Sequence, residues 1–374
     1  EYTLTVSYPL AAAEPLMDEG QEVAHEQFTL VPYTFPTEED ILAAAGKGDA
    51  AVAPIADNSC LILSAAGTTV TWNRYTGYID YLDVDGRPML QEGYSLTPNF
   101  WRAPTDNDFG ANLQRRFAIW KNPAMHLTAD GLQQATEDGA QIVFCDYEMR
   151  DLQAILHLRY TLTADGQLIV TQALETGATF KDGDREGRRR DRRQEGQFQM
   201  TPQMREQMQK AVKDTHLFRF GMQLVMPKDF ATVDFYGMGP GENYVDRHSD
   251  QTLGHYTQTV SQQFYPYIRP QENGNHTDIR WWRVLDAAGH GLEFYGTEPL
   301  NATSLNYLQS DLDDGNDKQQ RHSGDLAARP FTVVSIDKAQ FGLGCVNSWG
   351  AWPREEYRLP YGDYTYTYVI KPVK

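Results

Sequence analysis

The run Gln141-Ile142-Val143-Phe144-Cys145-Asp146-Tyr147-Glu148-Met149 is followed by a second run over residues 154–163. The turn Ala164-Asp165-Gly166 then leads into a third run over residues 167–174. Each run has strand length and is rich in β-branched, aromatic and aliphatic residues, and the Asp-Gly step marks a hairpin turn. The same texture extends in both directions. Upstream, residues 60–63, 68–73 and 78–84 read as short strands, with Thr76-Gly77 and Asp85-Gly86 as turns. Downstream, residues 217–226, 232–237, 279–285, 291–295, 331–338 and 364–370 continue the series. Many strands at short spacing with few long helices predict an all-β protein built on a large antiparallel sandwich. The absence of β–α repeats excludes a parallel barrel and a nucleotide-binding crossover fold.

A chain of 374 residues exceeds what one core usually serves, so one large domain plus a smaller element is expected. Hydrophobic residues make up 41 % and aromatics 12 %, with 21 tyrosines, which favours strands. A formal net charge of −18 argues against nucleic-acid and anionic-membrane partners and suits a neutral ligand. Cys60, Cys145 and Cys345 are far apart, match no metal spacing and read as small apolar fillers. No run approaches the ~18 apolar residues of a membrane helix. The chain opens at Glu1 on a strand-like pattern without a leader, as though entered in the middle of a domain. It therefore reads as a piece of a longer protein.

Residues 1–10 and 23–31 alternate with period two, and two strands cannot make a stable domain in water. Residues 1–33 are thus expected to be the tail of a sheet domain. Residues 34–56, with prolines, acids and an alanine- and glycine-rich patch, read as a linker with a helical turn over 38–45. Residues 57–374 form the sandwich. Within it, 112–121 is expected as one surface helix. Residues 180–214 are expected as a charged insertion with Arg188-Arg189-Arg190 and an amphipathic helix over 203–212.

Five stretches are candidates for chemistry. Phe341-Gly342-Leu343-Gly344-Cys345-Val346-Asn347-Ser348-Trp349-Gly350-Ala351-Trp352-Pro353 surrounds two tryptophans with turn formers. An indole there is either a core residue under a tight turn or a platform for the apolar face of a sugar ring. Asn99-Phe100-Trp101-Arg102-Ala103-Pro104-Thr105-Asp106-Asn107-Asp108-Phe109-Gly110 offers a bidentate pairing of Arg102 with Asp106 or Asp108, which is the habit of a structural turn network. Gly237-Met238-Gly239-Pro240-Gly241-Glu242-Asn243-Tyr244 lacks the lysine of a phosphate loop and reads as a strand-ending loop. Glu272 and His276 share a loop with Asn273 and suit either an acid–base pair or a domain interface. Asp311-Leu312-Asp313-Asp314-Gly315-Asn316-Asp317 fails the calcium-loop pattern and reads as an exposed acidic turn with at most weak metal binding.

Four motifs occur in order: Arg102-Ala103-Pro104-Thr105-Asp106-Asn107-Asp108, Gly239-Pro240-Gly241-Glu242-Asn243-Tyr244-Val245-Asp246-Arg247, Pro270-Gln271-Glu272-Asn273-Gly274 and Asn347-Ser348-Trp349. Together they resemble the C-terminal region of the large bacterial β-galactosidases of glycoside hydrolase family 2. The resemblance implies that residues 1–33 end an immunoglobulin-like domain and that residues from about 57 onward are a galactose mutarotase-like supersandwich. It implies a retaining hydrolase whose two catalytic glutamates lie on a preceding barrel, with no catalytic residue, metal or cofactor in this chain. The family's magnesium and sodium ligands belong to that barrel. The implied partners are the N-terminal and barrel domains of a parent that forms homo-oligomers, and a galactoside. The parent would be soluble, in the cytoplasm or periplasm of a bacterium. The last domain lends one tryptophan to the sugar pocket, and Trp349, with Asn347 and Ser348, matches that motif. Arg102, Asp106, Asn107, Asp108, Glu272 and Asn273 would brace loops facing the barrel. Related sequences usually carry glycine and aspartate where this chain has Cys345 and Val346. A stand-alone sugar mutarotase using Glu272 and His276, or a carbohydrate-binding module, are the rival readings.

Overall fold

The three runs become the strands Ala140–Met149, Ala154–Leu162 and Leu168–Thr176, paired antiparallel in sequence order. Their alternate residues Val143, Cys145, Tyr147 and Met149, then Leu156, Leu158 and Tyr160, then Leu168 and Val170, enter one core. Period-two patterning puts them all on one face. Burying each large side chain contributes about 1.5–3 kcal/mol before chain entropy is charged against it. The computed structural model describes residues 1–46, 55–56, 59–137, 140–180, 202–344 and 346–374, with residues 55–56 and part of the helix Pro202–Lys213 described by backbone alone. Cys345, the cluster Arg188-Arg189-Arg190 and most of the expected charged insertion lie outside the described residues. The helix Pro202–Lys213 spans the helical pattern expected over 203–212.

From Gln133–Glu137 the main sheet runs through the three strands just named to Tyr364–Val373 and Gly291–Leu305. It continues through His276–Leu285 and Thr232–Gly239 to Thr252–Thr259. Gly291–Leu305 is where it becomes two layers. Residues 291–296 pair with Tyr364–Val373, while 301–305 pair with Phe331–Gln340. The latter pairs with Arg219–Pro227, which pairs in turn with Thr97–Asn99. One strand thus serves both layers, as at the corner of a sandwich. Gly296 sits at the change of partner. A Cβ there would lie 2.5 Å from the carbonyl oxygen of Glu298, so the bend requires glycine. The sequence pattern ends at residue 295 because Thr297-Glu298-Pro299 breaks the alternation, although the backbone continues.

A second sheet, of Ile55–Ala56, Cys60–Ala65, Thr68–Asn73, Ile79–Val84 and Arg87–Pro88, packs on the first. The ring centroids of Trp72 and Tyr160 are 5.8 Å apart, and the Tyr147 hydroxyl donates to Thr76 O at 2.7 Å. Glu38–Ala45 is helical, capped by Thr37, and docks Ile41 on Ile169 and Val369. That part of the expected linker is seated on the main sheet.

Tyr2–Pro9 and Glu22–Val31 form a separate two-stranded ribbon. Gln27 joins it to the sandwich through two bonds with the Leu253 backbone (3.0 and 2.8 Å), and Glu1 pairs with Arg280 at 2.7 Å. Tyr2, Leu4, Tyr8, Phe28 and Leu30 stay exposed, as expected for a ribbon with no second sheet over it.

Two expectations are corrected. Residues 112–121 are not one surface helix. They form Leu113–Arg116 and the single turn Ala118–Trp120, entered through Asn112 in the left-handed region at φ 57°. Leu113, Phe117 and Trp120 are core residues, so this segment plugs the sandwich and does not coat it. The acidic turn is exposed only at its end, at Asn316 and Asp317. The Asp314 side chain is 1 % exposed and bound by Arg269 and Arg321, and Asp313 accepts from Lys121 at 2.6 Å and from the Trp101 indole at 2.9 Å. Those carboxylates already have cations, and no cluster of three His, Cys, Asp or Glu side chains able to hold a metal occurs among the described residues.

Candidate functional site: a braced tryptophan loop

Where Phe331–Gln340 ends, the chain enters the loop that carries both tryptophans. Phe341 is fully buried among Phe117, Phe218 and Trp352. The next residues are held by groups of opposite charge. Arg102 donates to the carbonyl oxygens of Phe341 and Gly342, the latter at 3.1 Å. Asp246 accepts from the backbone N–H groups of Leu343 (2.9 Å) and Gly344 (2.8 Å). Asn107 Nδ2 donates to Leu343 O at 2.8 Å. The N–H groups of Phe341 and Gly342 donate to the backbone carbonyls of Phe218 (2.9 Å) and Tyr357 (2.8 Å), so side chains and backbone from distant segments together satisfy this buried stretch.

The two tryptophans have opposite fates. Trp352 packs edge-on against Phe117 and His216, with Arg116 and Arg358 over its ring, so it takes the core role. Trp349 is 88 % exposed. Its backbone N–H closes a turn onto Asn347 Oδ1 at 2.9 Å, so Asn347 shapes the loop tip and Ser348 lies exposed beside it. The tip rests on the short helix Asp106–Gly110, with the Ser348 carbonyl against Gly110.

The first motif supplies the floor. Arg102 is 0 % exposed and grips Asp108 with a bidentate fork at 3.0 and 2.8 Å. Asp108 also caps its own helix by accepting from Thr105 N at 2.8 Å. Asp106 does not pair with Arg102; it lies near the surface, bound by Lys318 at 2.5 Å. The second motif supplies Asp246, and its Glu242 accepts from Gly274 N at 2.7 Å and pairs with Arg247. In this way the third motif is tied to the second. Asn273 binds both backbone polar groups of Tyr265, through N–H donation at 2.8 Å and carbonyl acceptance at 2.5 Å.

Glu272 and His276 are buried and do not form an acid–base pair. Glu272 is held by Arg219 at 2.8 Å and Gln340 at 3.1 Å. The ring nitrogens of His276 face Gly274 O and Pro240 O at 3.2 and 3.3 Å. Burial raises the Glu272 carboxyl and pushes the His276 imidazole down to about 4. Asp337 lies 3.0 Å from Arg219 and completes a buried group of one guanidinium and two carboxylates. Burial outweighs the guanidinium, and the Asp337 carboxyl is pushed up to about 7.

Sequence reasoning left Asp246 and Gly110 outside the candidate site. Both sit inside or beside the quoted motifs, which was the available signal, but their contacts with residues 342–348 follow only from the folded chain.

The chain is therefore an antiparallel β-sandwich that presents one indole on a loop braced by distant segments. Residues 64–370 match the family model described as beta galactosidase small chain, and the chain belongs to that family. The β-galactosidase of Priestia megaterium is 26 % identical over 100 % of this chain and 32 % of its own length. That of Halalkalibacterium halodurans is 27 % identical over 78 % of this chain and 25 % of its length. The chain spans about a third of the length of such relatives. Among solved structures, a putative aldose 1-epimerase from Escherichia coli K12 superposes with a TM-score of 0.40 at 11 % identity, covering 84 % of this chain and 99 % of that one.

Proposed function

We propose that this chain is the C-terminal part of a retaining β-galactosidase of glycoside hydrolase family 2 and contributes Trp349 to the rim of the galactoside pocket. The observation that carries this reading is the exposed indole of Trp349 on a loop whose backbone is fixed by Arg102, Asn107 and Asp246. An exposed tryptophan on a mobile loop loses entropy on binding, whereas one on a braced loop is pre-organised to meet the apolar face of a sugar ring. The acid/base and nucleophilic glutamates, and the magnesium and sodium ions the resemblance implies, belong in this reading to a barrel outside the chain. Asn347 shapes the tryptophan turn, Ser348 lies at its tip, and Arg102, Asp108, Glu272, Asn273 and His276 brace the loops beneath. The exposed apolar residues of the ribbon 1–31 support its assignment as the end of an immunoglobulin-like domain shared with the preceding region.

The test is hydrolysis of a nitrophenyl β-galactoside by this chain alone and after mixing with separately expressed N-terminal region. Inactivity alone with activity on mixing is the expected result. Turnover by the chain alone that disappears in Glu272→Gln would reject it in favour of a catalytic group within the sandwich.

A further inference from the structure

We propose that Asp246 is a positioning residue that sets where Trp349 stands, an inference that rests on the reading of Trp349 as part of the sugar pocket. The indole of Trp349 makes no hydrogen bond or ring contact among the described residues, so its location is inherited from its backbone. That backbone departs from the sandwich at Leu343 and Gly344, whose consecutive N–H groups point at the two oxygens of one carboxylate, Asp246 Oδ1 and Oδ2. No ion pair to Asp246 occurs among the described residues, and both of its oxygens are committed to the loop. Hydrogen bonds to a carboxylate are about twice as strong as neutral ones, and a pair fixes direction as well as distance. The clamp is tight: a Cβ on Gly342 would lie 2.6 Å from Asp246 Oδ2.

Arg102 also holds the loop, but it is fully buried with Asp108 and serves the core at the same time. Asp246 is half-buried and reaches the loop from the segment after Tyr244, nearly a hundred residues earlier in sequence. Its loss falls on the loop first. Asp246 is thus the group through which the second motif acts on the fourth.

Asp246→Asn keeps size and shape but leaves one acceptor oxygen; its amide N–H groups face the second backbone N–H donor. In the reassembled enzyme this variant should raise KM for nitrophenyl β-galactoside several-fold with little change in kcat, as lost uniform binding does. In a Trp349→Ala background the same change should add nothing, because a group that acts through Trp349 has nothing left to position. A rise in KM of equal size in both backgrounds overturns the proposal. So does an unchanged KM in Asp246→Asn when Trp349→Ala alone raises it. An unchanged KM in Trp349→Ala overturns the underlying reading and the proposal with it. A second measurement needs only this chain. With 5-fluorotryptophan incorporated, the fluorine resonance assigned to Trp349 by Trp349→Phe should move in Asp246→Asn while the other tryptophan resonances stay in place. A stationary Trp349 resonance overturns the proposal whether or not the enzyme reassembles.

Discussion

A Cβ on Gly110 would lie 1.9 Å from the carbonyl oxygen of Ser348. The end of the helix Asp106–Gly110 and the tip of the tryptophan loop are therefore in backbone contact, and only glycine permits it. Gly110→Ala must displace the tip, because the obstructing atom is main chain. The variant is expected to melt close to the parent chain, since the displaced residues are exposed, and to raise KM of the reassembled enzyme. An unchanged KM would show that the tip has room to move without consequence.

Trp349→Ala removes the exposed indole without touching the core. If Trp349 serves as an aromatic anchor for substrate, the loss is ~2 kcal/mol or more, roughly thirtyfold in KM. Trp352→Ala should behave in the opposite way. It removes packing against Phe117, His216 and Phe341, and because Trp352 is partly buried the expected loss of stability lies below the roughly 3–5 kcal/mol of a fully buried tryptophan. Urea unfolding of the two variants beside steady-state kinetics separates the roles.

Asp108→Ala should be among the most destabilising single changes in the chain. It strands the Arg102 guanidinium, which is 0 % exposed, and removes the cap of the helix Asp106–Gly110. Breaking a buried pair by deleting one partner costs about 3–5 kcal/mol. The expected signature is a lower urea midpoint with an unchanged slope.

Two buried groups, Asp337 and His276, should contribute to the pH dependence of stability in opposite directions, with Glu272, also raised by burial, acting in the same direction as Asp337. Asp337 titrates at about 7 in the folded chain, above the ~3.9 of an ordinary aspartate, so the folded state keeps a proton that the unfolded state gives up. Its contribution is complete below about pH 4 and is lost as pH rises through about 7. His276 titrates at about 4 when folded, below the ordinary ~6.5, so the unfolded state takes the proton that the folded state refuses. Its contribution is complete above ~6.5 and is lost as pH falls through about 4. Between these limits the two offset each other. Asp337→Asn should therefore gain stability with rising pH across this window, and His276→Gln should lose it. Parallel profiles for the two variants in urea unfolding would remove this account.

Local sequence was enough to read the strands around residues 141–174 and the turn at Asp165-Gly166, because period-two burial and positive-φ turns are properties of neighbouring residues. It missed Gln133–Glu137, Thr97–Asn99 and Thr252–Thr259, whose sequences carry little apolar alternation; these strands are held by pairing with a neighbour. The order of four motifs was also legible, and with it the likeness to β-galactosidases that the match to the beta galactosidase small chain family bears out.

Residue chemistry alone did not tell which tryptophan is presented; only the resemblance of Asn347-Ser348-Trp349 to a family motif singled out Trp349. Trp349 and Trp352 sit three positions apart in the same glycine-rich stretch, and nothing in their local chemistry distinguishes them. Their fates are decided by Phe117 and His216, which claim Trp352, and by Arg102, Asn107 and Asp246, which fix the backbone that leaves Trp349 outside. Those residues lie far from the loop in sequence; Arg102 and Asn107 reach it because Thr97–Asn99 and Phe331–Gln340 pair with the same strand, Arg219–Pro227, from its two sides. Composition and periodicity determine that such strands form; the pairing of strands distant in the chain determines which loops meet at the end of the sandwich, and that pairing exists only in the folded protein.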